Sequence, residues 1–373
     1  MTNCFTLAPT SGGSDTPNKV AGKPVSSLSR PVRPTRRDSV SRLDLTRRVF
    51  MAALLAALTP KALVAQSSAL RLVQTIPLPG VEGRIDHFGV DAEGRRLFVS
   101  ALGNHTLEIL DLSAGHRVKS IGGLKEPQGV MYVPEAHRIF VADGDDGTCR
   151  SFDGSSYRLK DTIHFSSDAD NIRYDAAAKQ VYVGYGEGAL GVLDAATGRR
   201  LGDIPLRGHP ESFQLERSGP RIFVNVPTAD HSIAVVDRAK RAVIATWYLE
   251  ARSNFPMALD EADQRLMVVA RAPARLVVLD IVSGKAVASV PTVGDADDLF
   301  YDATLKRLYI SGGEGFIDTF QQEDPDHYQS LGRLATAPGA RTSYYLSELK
   351  RLYLALPHRG QQTAEIRVYE TQP

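Results

Sequence analysis

Arg96-Leu97-Phe98-Val99 decides the fold, because this order of a basic or polar residue, an aliphatic, a large apolar residue and a second aliphatic occurs seven times. The first aliphatic of each copy is Leu97, Ile139, Val181, Ile222, Leu266, Leu308 and Leu352, at spacings of 42, 42, 41, 44, 42 and 44. A fixed period of this size marks a repeat architecture rather than a string of independent domains.

Outward from that stretch, each unit reads alike. An apolar run (87–90) leads through a turn (91–95) into the quoted strand (96–101), then a third run (106–112) and a fourth (117–121). Four short β-rich runs bounded by Gly, Asp and Asn leave hardly any room for a helix. The second run is apolar on both faces, Leu97 and Val99 on one and Phe98 on the other, which suits a sheet sandwiched between two like sheets. The expectation is an all-β chain folded as a seven-bladed β-propeller. The last unit has only three runs (342–346, 351–356 and 365–369), and the run at 71–78 reads like the fourth run of the third unit at 200–206. The N-terminal strand is therefore expected to complete the last blade, which removes free sheet edges.

The domain reading is a disordered extension plus an export signal peptide over 1–68, removed on export, and the propeller over 69–373. The chain up to Asp44 is rich in Ser, Pro, Thr and Arg without apolar periodicity. Thr46-Arg47-Arg48-Val49-Phe50-Met51 opens an apolar run at 49–58 that is too short to span a bilayer. Paired arginines before such a run resemble a twin-arginine export signal, with an ordinary secretory signal as the alternative. Either places the mature chain in the periplasm or outside the cell, with no stable membrane anchor. Taking the leader's ten basic and three acidic side chains from totals of 44 and 43 leaves 34 against 40, a net charge of −6. That balance argues against nucleic acid as a partner. Of the two cysteines, Cys4 leaves with the leader, so no internal disulfide forms, and Cys149 reads as a small buried apolar residue. A monomer is the expectation.

The repeat serves as a ruler for the site. Strands alternate in direction within a blade, so the head of the first strand and the loop after the second share one end, the upper face. The opposite turns are short and alike, the mark of an idle lower face. Eleven positions before each anchor, at the head of each innermost strand, stand Asp86, Gln128, Asp170, Glu211, Phe255, Asp297 and Arg341. His87, Asn171 and Asp298 follow directly, and Arg84, Glu126, Asp168, His209 and Asp295 stand two positions earlier. The loops after the second strands add Asn104, His105, Asp145, Asp146, Glu187, His231, Arg271, Glu314, His358 and Arg359. All are expected at one mouth.

Carboxylates gathered around a channel repel unless a cation, a shared proton or an arginine neutralises them. Arg84, Arg252 and Arg341 are candidates for that task. Calcium or magnesium on Asp86, Asp170, Glu211 and Asp297 is another solution, since hard cations prefer oxygen ligands. A structural ring that bonds loop backbone or holds water is the third. With a metal in place, His87 or His209 is the candidate general base for hydrolysis or elimination. Gln128, Asn171, Arg252, Asp298 and Arg341 are the candidate ligand-binding residues. Gly312-Gly313-Glu314-Gly315 lies between two strands and reads as a tight loop rather than a phosphate cradle, and Asp145-Asp146-Gly147 reads as a hairpin turn.

The recurring Arg-Leu-Tyr/Phe-Val strand, followed by Leu110-Asp111 to Gly115, Leu193-Asp194 to Gly198 and Leu279-Asp280 to Gly284, resembles the YVTN-type seven-bladed propeller repeat of YncE-like proteins over 69–373. Most copies depart from its final Asn, Asn225 being the nearest, and the sixth unit has Thr319-Phe320 where the aspartate pattern is expected. The resemblance implies the fold, and it implies little about function, because such propellers host binding proteins, lactonases and lyases alike. A single tryptophan, Trp247, speaks against the quinone-type propellers that the resemblance would make tryptophan-rich. Two functions stand. One is an exported binding or interaction protein that takes a small ligand or protein partner at the upper mouth. The other is a divalent-metal-assisted hydrolase or lyase of small cyclic esters.

Overall fold

The computed structural model describes residues 69–373, and within them the chain forms seven four-stranded antiparallel sheets arranged as a β-propeller. Blade 1 spans 88–122, blade 2 127–164, blade 3 169–205, blade 4 213–248, blade 5 252–291 and blade 6 296–335. Blade 7 takes three strands from 343–371, and its fourth is the N-terminal strand Leu70–Pro77, which pairs with Glu365–Thr371. The extension and export signal read in 1–68 lie outside the described residues. Among the described residues no helix is long and apolar enough to cross a membrane.

The repeat motif owes its composition to packing on both sides. Leu97 and Val99 join Ile76, Tyr353 and Ile366 of blade 7 in one cluster, whereas Phe98 joins Val130, Tyr132 and Ile139 of blade 2 in another. All three motif residues are fully buried. The leading arginine reaches further. Arg96 pairs with Asp91 of its own blade at 2.7 Å and donates to the Gly154 carbonyl and, at 3.0 Å, to the Tyr157 hydroxyl of blade 2. Arg221 likewise pairs with Glu216 and donates to the Ile281 carbonyl of blade 5. The basic residue therefore stitches a blade to its neighbour.

The recurrent aspartate closes the outer hairpin. Asp111 accepts the N–H groups of Ser113 and Ala114 at 2.8 Å, Asp194 that of Thr197 at 2.8 Å, and Asp280 that of Ser283 at 2.7 Å, the turn for which Asp is suited. Blade 6 keeps this device in a shifted place. Its outer strands, Phe316–Asp324 and His327–Ala335, are extended, and Asp324 takes over by accepting the Asp326 N–H at 2.8 Å. Cys149 is buried, and burial pushes its thiol well above the ordinary range, in keeping with a packing role.

Candidate functional site

Backbone geometry aims the ring residues. Glu126, Asp168, Ser253 and Asp295 lie in the left-handed region, with φ between +37° and +58°, each two residues before a ring position. The strand then bulges. The ladder shifts register between Pro127 and Val130, Ala169 and Ile172, Asn254 and Met257, and Ala296 and Asp298. In blades 1 and 4 a single second-strand residue, Ser100 or Asn225, bonds two successive first-strand residues, Asp86–His87 or Glu211–Ser212. Such bulges re-aim a side chain out of the ladder. The result is a polar chamber of about 230 Å³ at the top of the channel, lined by all seven ring residues together with Arg84, His87, Asn171 and His209.

Arginines neutralise part of the ring. Arg84 Nη2 stands 2.6 Å from Asp86 Oδ2. Asp297 lies between two guanidiniums, Arg341 with Nε at 2.7 Å and Arg271, which also lies over the Phe255 ring at 3.8 Å. Arg341 additionally holds Asp295 at 2.8 Å, and Gln128 donates to Asp168 at 2.9 Å. No arginine engages Asp170 or Glu211; Asp170 instead faces two histidines, Oδ1 at 3.9 Å from His87 Nε2 and Oδ2 at 3.8 Å from His209 Nε2. Asp170 Oδ1 is buried with no hydrogen-bond partner among the described residues, and the Glu211 carboxyl makes neither a hydrogen bond nor an ion pair among them. Burial, with the negative charge of Asp170 added, pushes the Glu211 carboxyl up to about 8 against the relief that His209 offers.

The two histidines differ. His209 Nδ1 donates to the Gly186 carbonyl at 2.7 Å, and its Nε2 faces Asp170 at 3.8 Å. Burial works against its positive charge, but Asp170 and the Gly186 carbonyl prevail and push it up to about 9. His209 is thus held with Nδ1 on the Gly186 carbonyl and Nε2 toward Asp170. His87 is also raised, because Asp86, Asp298 and Asp170 outweigh the cost of burial. Its Nε2 meets the Asn171 amide nitrogen at 3.1 Å. Arg173 donates to the Asn171 oxygen, which fixes the amide's orientation, so Asn171 donates to His87 and opposes a second proton on that nitrogen.

Two expectations need correction. Arg252 is exposed, makes no ion pair among the described residues and is absent from the chamber wall; Arg271, near the end of the second strand Arg265–Ala272 of the same blade, fills the neutralising role. Of the ten loop residues expected at the mouth, only Arg271 reaches it. Others bind nearby backbone or charges instead: Asn104 accepts the Glu82 N–H at 3.2 Å, Glu314 the Gly294 N–H at 3.0 Å, and His358 pairs with Glu82 at 2.5 Å. Among the described residues, no group of three or more His, Cys, Asp or Glu side chains is arranged to hold a metal ion.

Asp298 lies past the bulge and lines a second cavity. His87 and Asn171 border both cavities and form the partition between them. Asp298 accepts the Ser343 N–H at 2.7 Å, and burial pushes its carboxyl up to about 7 despite that bond and His87. The second cavity, about 1360 Å³, extends to the lower turns around Ala176, Arg217 and Ala239. The channel therefore opens at the lower face as well. Its turns are short and satisfy their own charges, as in Asp91–Arg96 and Glu216–Arg221, and so leave the channel unroofed.

No protein-family model matches the chain, and no curated protein matches it in sequence. Among solved structures 1837 chains match it, so the architecture is too widespread to identify a chemistry. One of these belongs to the hydrazine synthase of Kuenenia stuttgartiensis, at 14% identity and a TM-score of 0.67, with 78% of this chain and 98% of that one covered. The likeness establishes the β-propeller fold. It transfers no activity.

Proposed function

We propose that this chain is an exported binding propeller whose upper chamber takes a small amine-bearing ligand. The observation that carries the reading is the pair of buried carboxyls that no arginine engages, Asp170, which has only histidines beside it, and Glu211. Asp170 and Glu211 face one enclosed polar space after Arg84, Arg271 and Arg341 have engaged Asp86 and Asp297. An unpaired buried carboxyl oxygen costs free energy, and an ammonium donor of a ligand would remove that cost. A chamber of about 230 Å³ falls below the ~300–1,000 Å³ usual for drug-sized ligands, so the ligand is small. Export rests on the arginine pair and the apolar run after it, and cell fractionation checks it. A chain retained in the cytoplasm would refute that part.

Thermal melting with ethanolamine, glycerol, calcium or magnesium in separate arms tests the site. Ethanolamine should raise the midpoint saturably in the wild type and not in the Asp170→Asn, Glu211→Gln double variant. A shift with calcium or magnesium alone would instead favour the metal-assisted hydrolase or lyase. No shift in any arm would remove the upper chamber as a binding site.

A further inference from the structure

Below the partition, the innermost strand of blade 3 presents Arg173 to the large cavity. Its Nη1 donates to the Asn171 side-chain oxygen and, at 2.8 Å, to the Ile172 carbonyl, both neutral acceptors. Nε and Nη2 have no hydrogen-bond partner among the described residues, and no carboxylate there pairs with the group. Most other arginines around the ring carry an acidic partner; this one faces open space with half its fork unused. A guanidinium cannot relieve its burial by losing its proton. Asp298 and Asp170 act on it only through space, and a bound anion would complete its fork.

The surroundings say which anion. Beside Arg173, the Tyr344 ring packs against Phe300 with centroids 5.6 Å apart, and the Tyr344 hydroxyl makes no hydrogen bond among the described residues. Phe213 lies under the guanidinium at 5.6 Å. A planar fork matches a carboxylate in bidentate fashion, and aromatic walls favour a flat apolar body in offset or edge contact. The Asp298 carboxyl at the partition disfavours a second negative charge, which speaks against phosphate. At the outer rim, exposed Arg217 adds positive charge where an anion would enter.

We propose that the lower chamber is a binding site for a small aromatic monocarboxylate, its carboxylate on Nε and Nη2 of Arg173 and its ring against Tyr344 and Phe300. The site is separate from the upper chamber and takes the opposite charge. Titration calorimetry of the wild type with benzoate, its neutral isostere benzamide and inorganic phosphate tests it. Benzoate should bind saturably, benzamide and phosphate at least about tenfold more weakly, since charge-assisted hydrogen bonds are lost or mismatched. Arg173→Gln should lose at least about tenfold in benzoate affinity and little for benzamide. Tyr344→Ala should weaken both. Absence of saturable benzoate binding by the wild type, phosphate binding as tight as benzoate, or an Arg173→Gln variant that binds benzoate as well as the wild type would overturn the assignment. If Arg173→Gln does not fold, the wild type's own preference for benzoate over benzamide decides: equal affinities refute the role of Arg173.

Discussion

Asp297 is held between Arg271 and Arg341, which come from two other blades. Removing its charge leaves Arg271 and Arg341 only the part-exposed Asp295 to share, and breaking a buried pair in this way costs more than the pair itself contributes. Asp297→Asn should therefore lower stability by about 2–4 kcal/mol, equally with and without a chelator. Denaturant unfolding checks it; a loss seen only in the absence of chelator would return the ring carboxylates to a metal site. The ring position itself was legible, because a side chain eleven places before each anchor is fixed by the repeat. The partner of Asp297 was only half legible. Arg341 shares the ring position, but Arg271 stands near the end of a second strand prolonged to Ala272, a length that the repeat does not encode, whereas Arg252, in an equally suggestive place, turns to solvent.

At the scale of elements, strand number and order followed from the motif because each second strand is buried on both faces and tolerates no other composition. The bulges at the heads of the innermost strands left no such mark. They arise where left-handed residues of ordinary type, such as Glu126 and Asp295, turn the chain, and polar residues in a loop carry no periodic signal. The sixth-blade departure also became intelligible only in the fold, as a lengthened hairpin with its aspartate moved outward. The strand Leu70–Pro77 buries Leu70 and Ile76 against blade 7 and its neighbours. Deleting it should cost about 4 kcal/mol or more, two fully buried aliphatics at ~2–5 kcal/mol each, and should lower the single melting transition of the whole domain. An unchanged midpoint would mean that the ring does not depend on this closure.

For the whole molecule, buried groups set the response to pH. Glu211, raised from 4.5 to about 8, Asp298, raised from 3.8 to about 7, and His209, raised from 6.5 to about 9, all hold protons in the folded chain that the unfolded chain releases. Their contribution is complete below the unfolded values and is lost as pH rises through the folded ones. The turn aspartates Asp111, Asp194 and Asp280 are lowered by backbone and side-chain donors, so their contribution is present above the usual carboxylate range and lost in acid. Stability should peak at roughly pH 4–6 and fall from there to pH 9, and Glu211→Gln should flatten that fall. Melting midpoints across this range test it. A midpoint that climbs from pH 6 to pH 9 would show these groups already ionised in the folded state.

The pairing of Leu70 with Thr371 joins positions 301 residues apart. During synthesis the first strand of the propeller emerges long before the strand it must meet, and at ~5–20 residues per second it waits roughly 15–60 s. Through that interval six blades can form in order from local hairpins, while the seventh has nothing to close on. The exposed strand, with Leu72 and Val73 outward, is then a free edge of the kind that recruits other chains. Completion of the ring thus waits for the last blade, and the yield of folded protein should depend on how crowded the nascent chains are during that wait.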